Sequence, residues 1–128
     1  MTKALDKQVG GDHYKTLKIQ PTYYSTVNLL YAIESNIIKY ATRHKAKGGA
    51  QDVRKIIHYA ELAKDLNVDV PNRELVLAIT PETYYTANKL GQLESFIVKH
   101  ATHNSFKHSD EAMDSVIELA EEILTSQY

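Results

Sequence analysis

The chain has 128 residues, of which 43% are hydrophobic and 24% charged, with no cysteine and a net charge of −1. These figures suit one globular domain and exclude a disulfide scaffold or a thiolate zinc site, and the near-zero net charge disfavours sequence-specific nucleic-acid binding. No apolar run reaches the ~18 residues of a membrane span and the start MTKALDKQVGGDHYK has no signal-peptide core, so a cytoplasmic protein without membrane contact is expected.

The charge is unevenly spread. Residues 1–66 carry 11 Lys/Arg against 6 Asp/Glu, while residues 67–128 carry 4 against 10. Such a layout either draws an anionic ligand to the first half or lets the two halves attract each other, within a chain or between subunits.

In chain order, the leader VGGDHYK comes first. Gly10 and Gly11 let backbone N–H groups approach a ligand, and Asp12, His13 and Lys15 offer a base, a donor and a phosphate counter-charge. From spacing alone the same residues read first as a terminal arm with a Gly-Gly turn. They are no Walker loop, because GxxxxGK[ST] occurs nowhere in the chain. A short helix is expected over 23–30, with Pro21 suited to its first turn. A second, over 32–45, places Ile33, Ile37, Ile38 and Ala41 on one side, and Lys47-Gly48-Gly49 is expected to end it with a left-handed cap. A third, over 51–66, buries Val53, Ile56, Ile57, Ala60 and Ala63. A short linker at 67–72 contains Pro71.

The pattern then starts again. IQPTYYSTVNLLYAIESNIIKYATRHKAK aligns without a gap on ITPETYYTANKLGQLESFIVKHATHNSFK sixty residues later. Pro21/Pro81, Tyr24/Tyr84, Asn28/Asn88, Glu34/Glu94, Ile37/Ile97, Lys39/Lys99 and Thr42/Thr102 are among the identities. Roughly a third of the aligned positions match, far above chance. Helices are therefore expected over 84–90 and 110–125, the latter burying Met113, Val116, Ile117, Ala120 and Leu124. The expected fold is all-α: two pseudo-repeats of a three-helix unit packed as one domain, since one unit buries little core alone. The leader and first repeat occupy 1–66, a linker 67–78 and a degenerate second repeat 79–128.

Three clusters could carry chemistry. Lys39, Arg43 and Lys47 recur every four residues with His44 and Lys45 beside them, a stripe that could neutralise phosphates or simply be a solvated helix face. In the second repeat His103 and Ser105 replace Arg43 and Lys45, as expected if that copy keeps the fold and has lost a ligand. Asp52, Lys55 and Tyr59 share a face with His58 adjacent, and Asp52 is expected to cap its helix rather than hold a metal. Asp110, Glu111, Asp114, Glu118, Glu121 and Glu122 lie opposite the apolar stripe and are expected to face solvent. The histidines lack metal-site spacing, and no metal ligand set is expected.

The run VGGDHYK, then IQP, then SNIIKYATRHKAKGGAQDVRKIIHYAELA resembles a small helical family common in tailed-phage genomes. One phage member is a nucleotide kinase that acts on deoxynucleoside monophosphates without a Walker motif. The resemblance covers about half the chain, departing mildly at Ser35, where glycine is common, and at Val53, which replaces leucine. It implies a phage nucleotide-metabolism protein, a deoxynucleoside monophosphate kinase using a triphosphate donor and Mg2+ brought with the nucleotide. By position it implies a catalytic set of Asp12, His13, Lys15 and Arg43. Gly10, Gly11, Tyr14, Asn36, Lys39, Tyr40, Lys45, Lys47, Asp52, Lys55 and His58 would bind the nucleotide and its phosphates. The alternative is a non-catalytic module that binds a nucleotide or a host protein through the same basic face. A homo-oligomer is expected, because apolar residues such as Leu29, Leu30 and Tyr31 have uncertain cover.

Overall fold

A computed structural model of the chain describes residues 3–6, 14 and 16–128. Every regular element among them is helical. The six α-helices are α1 (Pro21–Val27), α2 (Ala32–Arg43), α3 (Gly49–Leu66), α4 (Pro81–Ala87), α5 (Gln92–Asn104) and α6 (Asp110–Gln127). The starts of α4, α5 and α6 fall within one residue of sixty positions after those of α1, α2 and α3. None of these helices is long and apolar enough to cross a membrane.

Local chemistry sets the ends. Pro21 and Pro81 are each the first residue of their helices, where a fixed φ helps and a missing N–H costs nothing. These helices begin and end about three residues earlier than the apolar pattern predicts. They stop because Leu29 and Lys89 take left-handed φ values of 56° and 55°. In both turns a longer bond closes the end, from Leu30 N–H to the Ser25 carbonyl and from Leu90 N–H to the Tyr85 carbonyl, each 3.0 Å. Helix α2 likewise ends at Arg43, earlier than expected, with His44 as its cap. Gly49 takes the expected left-handed φ, 58°, and its N–H closes the turn after α2 on the His44 carbonyl at 2.8 Å, while the same residue is the first of α3.

The four long helices form a closed ring in which α2 packs on α3, α3 on α6, α6 on α5 and α5 on α2. The short helices sit outside it, α1 on α2 and α4 on α5. Ile37, Ile38, Val53, Ile56 and Ala60 meet Ile97, Val98, Met113, Val116 and Ala120 in one core. Ile123, not the expected Leu124, points fully inward from the last turns of α6, and Leu124 is only partly covered. The acidic residues of α6 all face solvent. A surface ion pair, Lys64 Nζ to Asp114 Oδ1 at 2.6 Å, joins α3 to α6 within the chain.

Polar bonds across the core come in reciprocal pairs. Tyr24 and Tyr84 are both fully buried with ring centroids 4.3 Å apart. The Tyr24 hydroxyl meets Thr102 Oγ1 at 2.9 Å and the Tyr84 hydroxyl meets Thr42 Oγ1 at 2.8 Å. Burial pushes the Tyr24 phenol up to about 12. Asn28 Nδ2 donates to the Ile79 carbonyl at 2.8 Å, while its Oδ1 accepts from the N–H groups of Ala78 and Ile79 at 2.8 and 3.0 Å. Asn88 does the same for Ile19, donating at 2.7 Å and accepting at 3.0 Å. Asn28→Ala strands these backbone groups at a site 1% exposed. It is expected to destabilise the protein by about 3 kcal/mol, read from urea unfolding; a loss below 1 kcal/mol would contradict this accounting.

The stretch expected to be a linker is mostly exposed and is tied to the bundle through Arg73. After a 3-10 turn at Asn67–Asp69, Arg73 donates its N–H to the Phe106 carbonyl at 2.8 Å. Its guanidinium lies over the rings of Tyr31 and Phe106, 4.5 and 4.3 Å from their centroids. From there Nε donates to the Ser105 carbonyl at 3.0 Å and Nη2 to the Leu29 carbonyl.

Candidate functional site

The last turns of α2 and the first turns of α3 bring three cations to one aromatic ring. Lys39 Nζ, Arg43 Cζ and Lys55 Nζ lie 4.6, 4.9 and 5.1 Å from the centroid of Tyr40. The ring's negative face favours positive charge there, so Tyr40 offsets part of the repulsion among the three. Tyr59 stacks behind it at 6.1 Å, and His58 meets Tyr59 edge-on at 5.6 Å.

Arg43 is anchored. Its Nε donates to Asp52 Oδ2 at 2.9 Å and its Nη2 to Asp52 Oδ1 at 3.2 Å, a forked pair with the carboxylate almost completely buried. Nη1 donates to the Tyr14 hydroxyl at 3.4 Å. The Asp52 bonds hold the guanidinium above its ordinary pKa, and burial pushes the Tyr14 phenol up despite Arg43 beside it. Lys55 Nζ approaches Asp52 Oδ1 to 4.0 Å.

Asp52 is therefore not the expected helix cap. Helix α3 begins at Gly49, the cap position is Gly48, and no side chain caps it. Asp52 lies one turn inside and turns its carboxylate onto Arg43. Gly48 makes the room: a Cβ there would stand 2.0 Å from Asp52 Cγ and Oδ1. Sixty residues later His108 and Ala112 replace Gly48 and Asp52, and neither the space nor the carboxylate remains.

A second buried pair borders the first. His44, at the end of α2, meets Glu94 Oε2 through Nε2 at 2.7 Å and the Tyr128 hydroxyl through Nδ1 at 2.6 Å. Lys45 Nζ lies 3.9 Å from the same Glu94 oxygen. Burial acts to raise the Glu94 pKa, but the His44 bond, a backbone N–H and Lys45 outweigh it and hold the carboxyl below its ordinary value. A carboxyl depressed by folding stabilises the protein above its unfolded pKa near 4.5, and that stability is lost as pH falls through the folded value. Glu94→Gln is accordingly expected to flatten the acid limb of unfolding stability between pH 5 and pH 3. An unchanged limb in urea unfolding at stepped pH would refute it. The corresponding pair in the other half joins Asn104 Nδ2 to Glu34 Oε2 at 2.7 Å.

The expected site is thus partly assembled. Tyr14, Lys39, Tyr40, Arg43, Asp52 and Lys55 come together, with His58 at the edge through Tyr59. Asn36 is half-buried on α2, one turn before Tyr40. Lys45 instead approaches Glu94, beside His44, and Lys47 is exposed in the turn beyond α2, because the helix ends before the four-residue spacing can continue. Gly10, Gly11, Asp12, His13 and Lys15 lie outside the described residues. Among the described residues no group of three or more His, Asp or Glu is placed to hold a metal.

Sequence reasoning passed over Glu94 and Tyr128 as site residues. Glu94 is matched by Glu34 and so reads as a residue the fold needs. The usable signal was its partner, which is histidine at 44 and asparagine at 104.

Residues 10–61 match the model of a family described as a protein of unknown function, DUF3310. The match takes in residues 10–15 of the leader, α1, α2 and most of α3, and with them every residue of the Tyr40 cluster. No curated protein and no solved structure matches the chain.

Proposed function

We propose that this is a phage nucleotide-metabolism protein that binds a deoxynucleoside monophosphate at the Tyr40 cluster and transfers a phosphoryl group to it from a nucleoside triphosphate. The observation that carries the reading is the convergence of Lys39, Arg43 and Lys55 on one ring, with Arg43 held in place by a buried carboxylate. Phosphoryl transfer needs chiefly alignment and neutralisation of charge, so a rigid cationic corner is a suitable catalyst. In this reading Lys39, Lys55 and Arg43 Nη1, whose long bond to the Tyr14 hydroxyl leaves it a second N–H, hold the acceptor phosphate. An acceptor oxygen attacks the γ-phosphorus, a new P–O bond forms, the bond to the β-phosphate oxygen breaks, and the donor leaves as its diphosphate. Mg2+ arrives with the donor. Asp12, His13 and Lys15 flank Tyr14 in sequence, which motivates assigning Lys15 as a further cation and Asp12 or His13 to orient the acceptor.

A second reading has its own observation. Two of the three Arg43 nitrogens are already committed to Asp52, which suits a module that holds a nucleotide without transferring phosphate. Incubation with each deoxynucleoside monophosphate and a triphosphate donor, followed by chromatography, separates the two. Diphosphate formed from the monophosphate supports the kinase, whereas calorimetric binding without product supports the module. Neither binding nor product refutes both.

A further inference from the structure

The surroundings of Arg73 have a counterpart elsewhere in the chain that the nucleotide reading does not use. Sixty positions away, Lys45 stands for Ser105, Ala46 for Phe106, Lys89 for Leu29 and Gly91 for Tyr31. The backbone is the same where it matters most, because Leu29 and Lys89 share their left-handed φ and present the following turn alike. What differs is bulk. Two aromatic rings become a glycine and an alanine, and at this place lies a cavity of about 150 Å3 lined by Thr42, Lys45, Asn88, Lys89, Gly91 and Glu94 among others.

The wall of this cavity holds a second observation. Glu94 is 2% exposed, and its Oε2 is occupied by His44 and Lys45. Its Oε1 is buried without a hydrogen-bond partner among the described residues. That oxygen lies 2.6 Å from where a Cβ on Gly91 would stand, so only glycine leaves it this approach. A buried carboxylate oxygen without a donor is costly, and a ligand that supplies one is correspondingly favoured.

We propose that this cavity receives the guanidinium of an arginine carried on a peptide partner. The carbonyls of Lys45 and Lys89 would take the places that Ser105 and Leu29 take for Arg73, and Glu94 Oε1 would accept a further N–H. A planar fork of donors serves three separated acceptors, which a single ammonium does less well. The peptide source is favoured over a free guanidine because Arg73 also uses its own backbone N–H, on Phe106. Lys45 is 62% exposed along its side chain and only 3.9 Å from Glu94 Oε2, so an arriving guanidinium displaces its ammonium into water. None of these residues belongs to the Tyr40 cluster, and the inference stands apart from the kinase reading.

The test is a titration of the isotope-labelled full chain, following the backbone amides of Lys45, Lys89 and Gly91. The probes are acetyl-Gly-Arg-Gly-amide, its lysine analogue, agmatine and inorganic phosphate. The arginine peptide is expected to shift these amides saturably, with the lysine peptide and agmatine each at least ten-fold weaker. Glu94→Gln is expected to weaken the arginine peptide at least ten-fold. Lys45→Ser, at an exposed position, is expected to tighten it several-fold by removing the competing cation. Equal binding of the lysine peptide, weakening by Lys45→Ser, or phosphate shifting these amides instead would overturn the proposal. Agmatine binding as tightly as the peptide would overturn the peptide source, and no shift at all would overturn the whole.

Discussion

Asp52→Ala is expected to lower stability by about 3 kcal/mol, with a fall in Tm of roughly 10 °C. The carboxylate is buried to within 2% and receives two donors from Arg43, so its removal leaves a cation in a site shaped for an ion pair. Arg43 keeps 15% of its side chain exposed, which lets water take up part of the freed charge and holds the cost near the lower end for buried pairs. The double variant Arg43→Ala with Asp52→Ala is expected to regain part of the loss, because neither partner is then stranded. Strict additivity of the two single losses would show that the pair is not coupled.

The second large effect is on the ligand. Arg43→Ala is expected to reduce nucleotide affinity or turnover about 100-fold, which corresponds to ~3 kcal/mol. Part of the damage to the single variant is structural, since it strands Asp52. The double variant separates the two contributions: stability is partly restored, while binding stays as weak as in Arg43→Ala. Arg43→Lys keeps the charge but not the fork and is expected to fall between them. Wild-type nucleotide affinity in Arg43→Ala would remove Arg43 from the site.

The all-helical architecture was legible because apolar residues recur at helical spacing and because the chain supplies its own comparison sixty residues later. The ends were less legible. Leu29 and Lys89 adopt a left-handed backbone that their side chains do not advertise, whereas Gly49, which does advertise it, takes that backbone where the turn after α2 passes directly into α3. The cationic stripe was visible at Lys39 and Arg43 but not its truncation before Lys47, which depends on that early helix end. Asp52 has the residue type of a cap and the spacing for one. Its partnership with Arg43 depends on the α2–α3 turn and the space left by Gly48, which no local pattern encodes. Glu94 was hidden for a different reason. Comparing the halves separates shared from unshared residues, and Glu94 is shared in identity while differing in its partner.

The two halves differ most in charge at the cationic corner. At the positions of Tyr40, Arg43, Asp52 and Lys55 the second half carries His100, His103, Ala112 and Ser115, so the cationic corner exists once. Burial and the neighbouring His103 and Lys99 lower the pKa of His100, which makes the later corner still poorer in charge near neutral pH. The most direct test is therefore a titration of the labelled chain with a deoxynucleoside monophosphate, read at every backbone amide. The account predicts saturable shifts at Lys39, Tyr40, Arg43 and Lys55, with Lys99, His100, His103 and Ser115 unmoved. Shifts confined to the second set, or none at either, would contradict it.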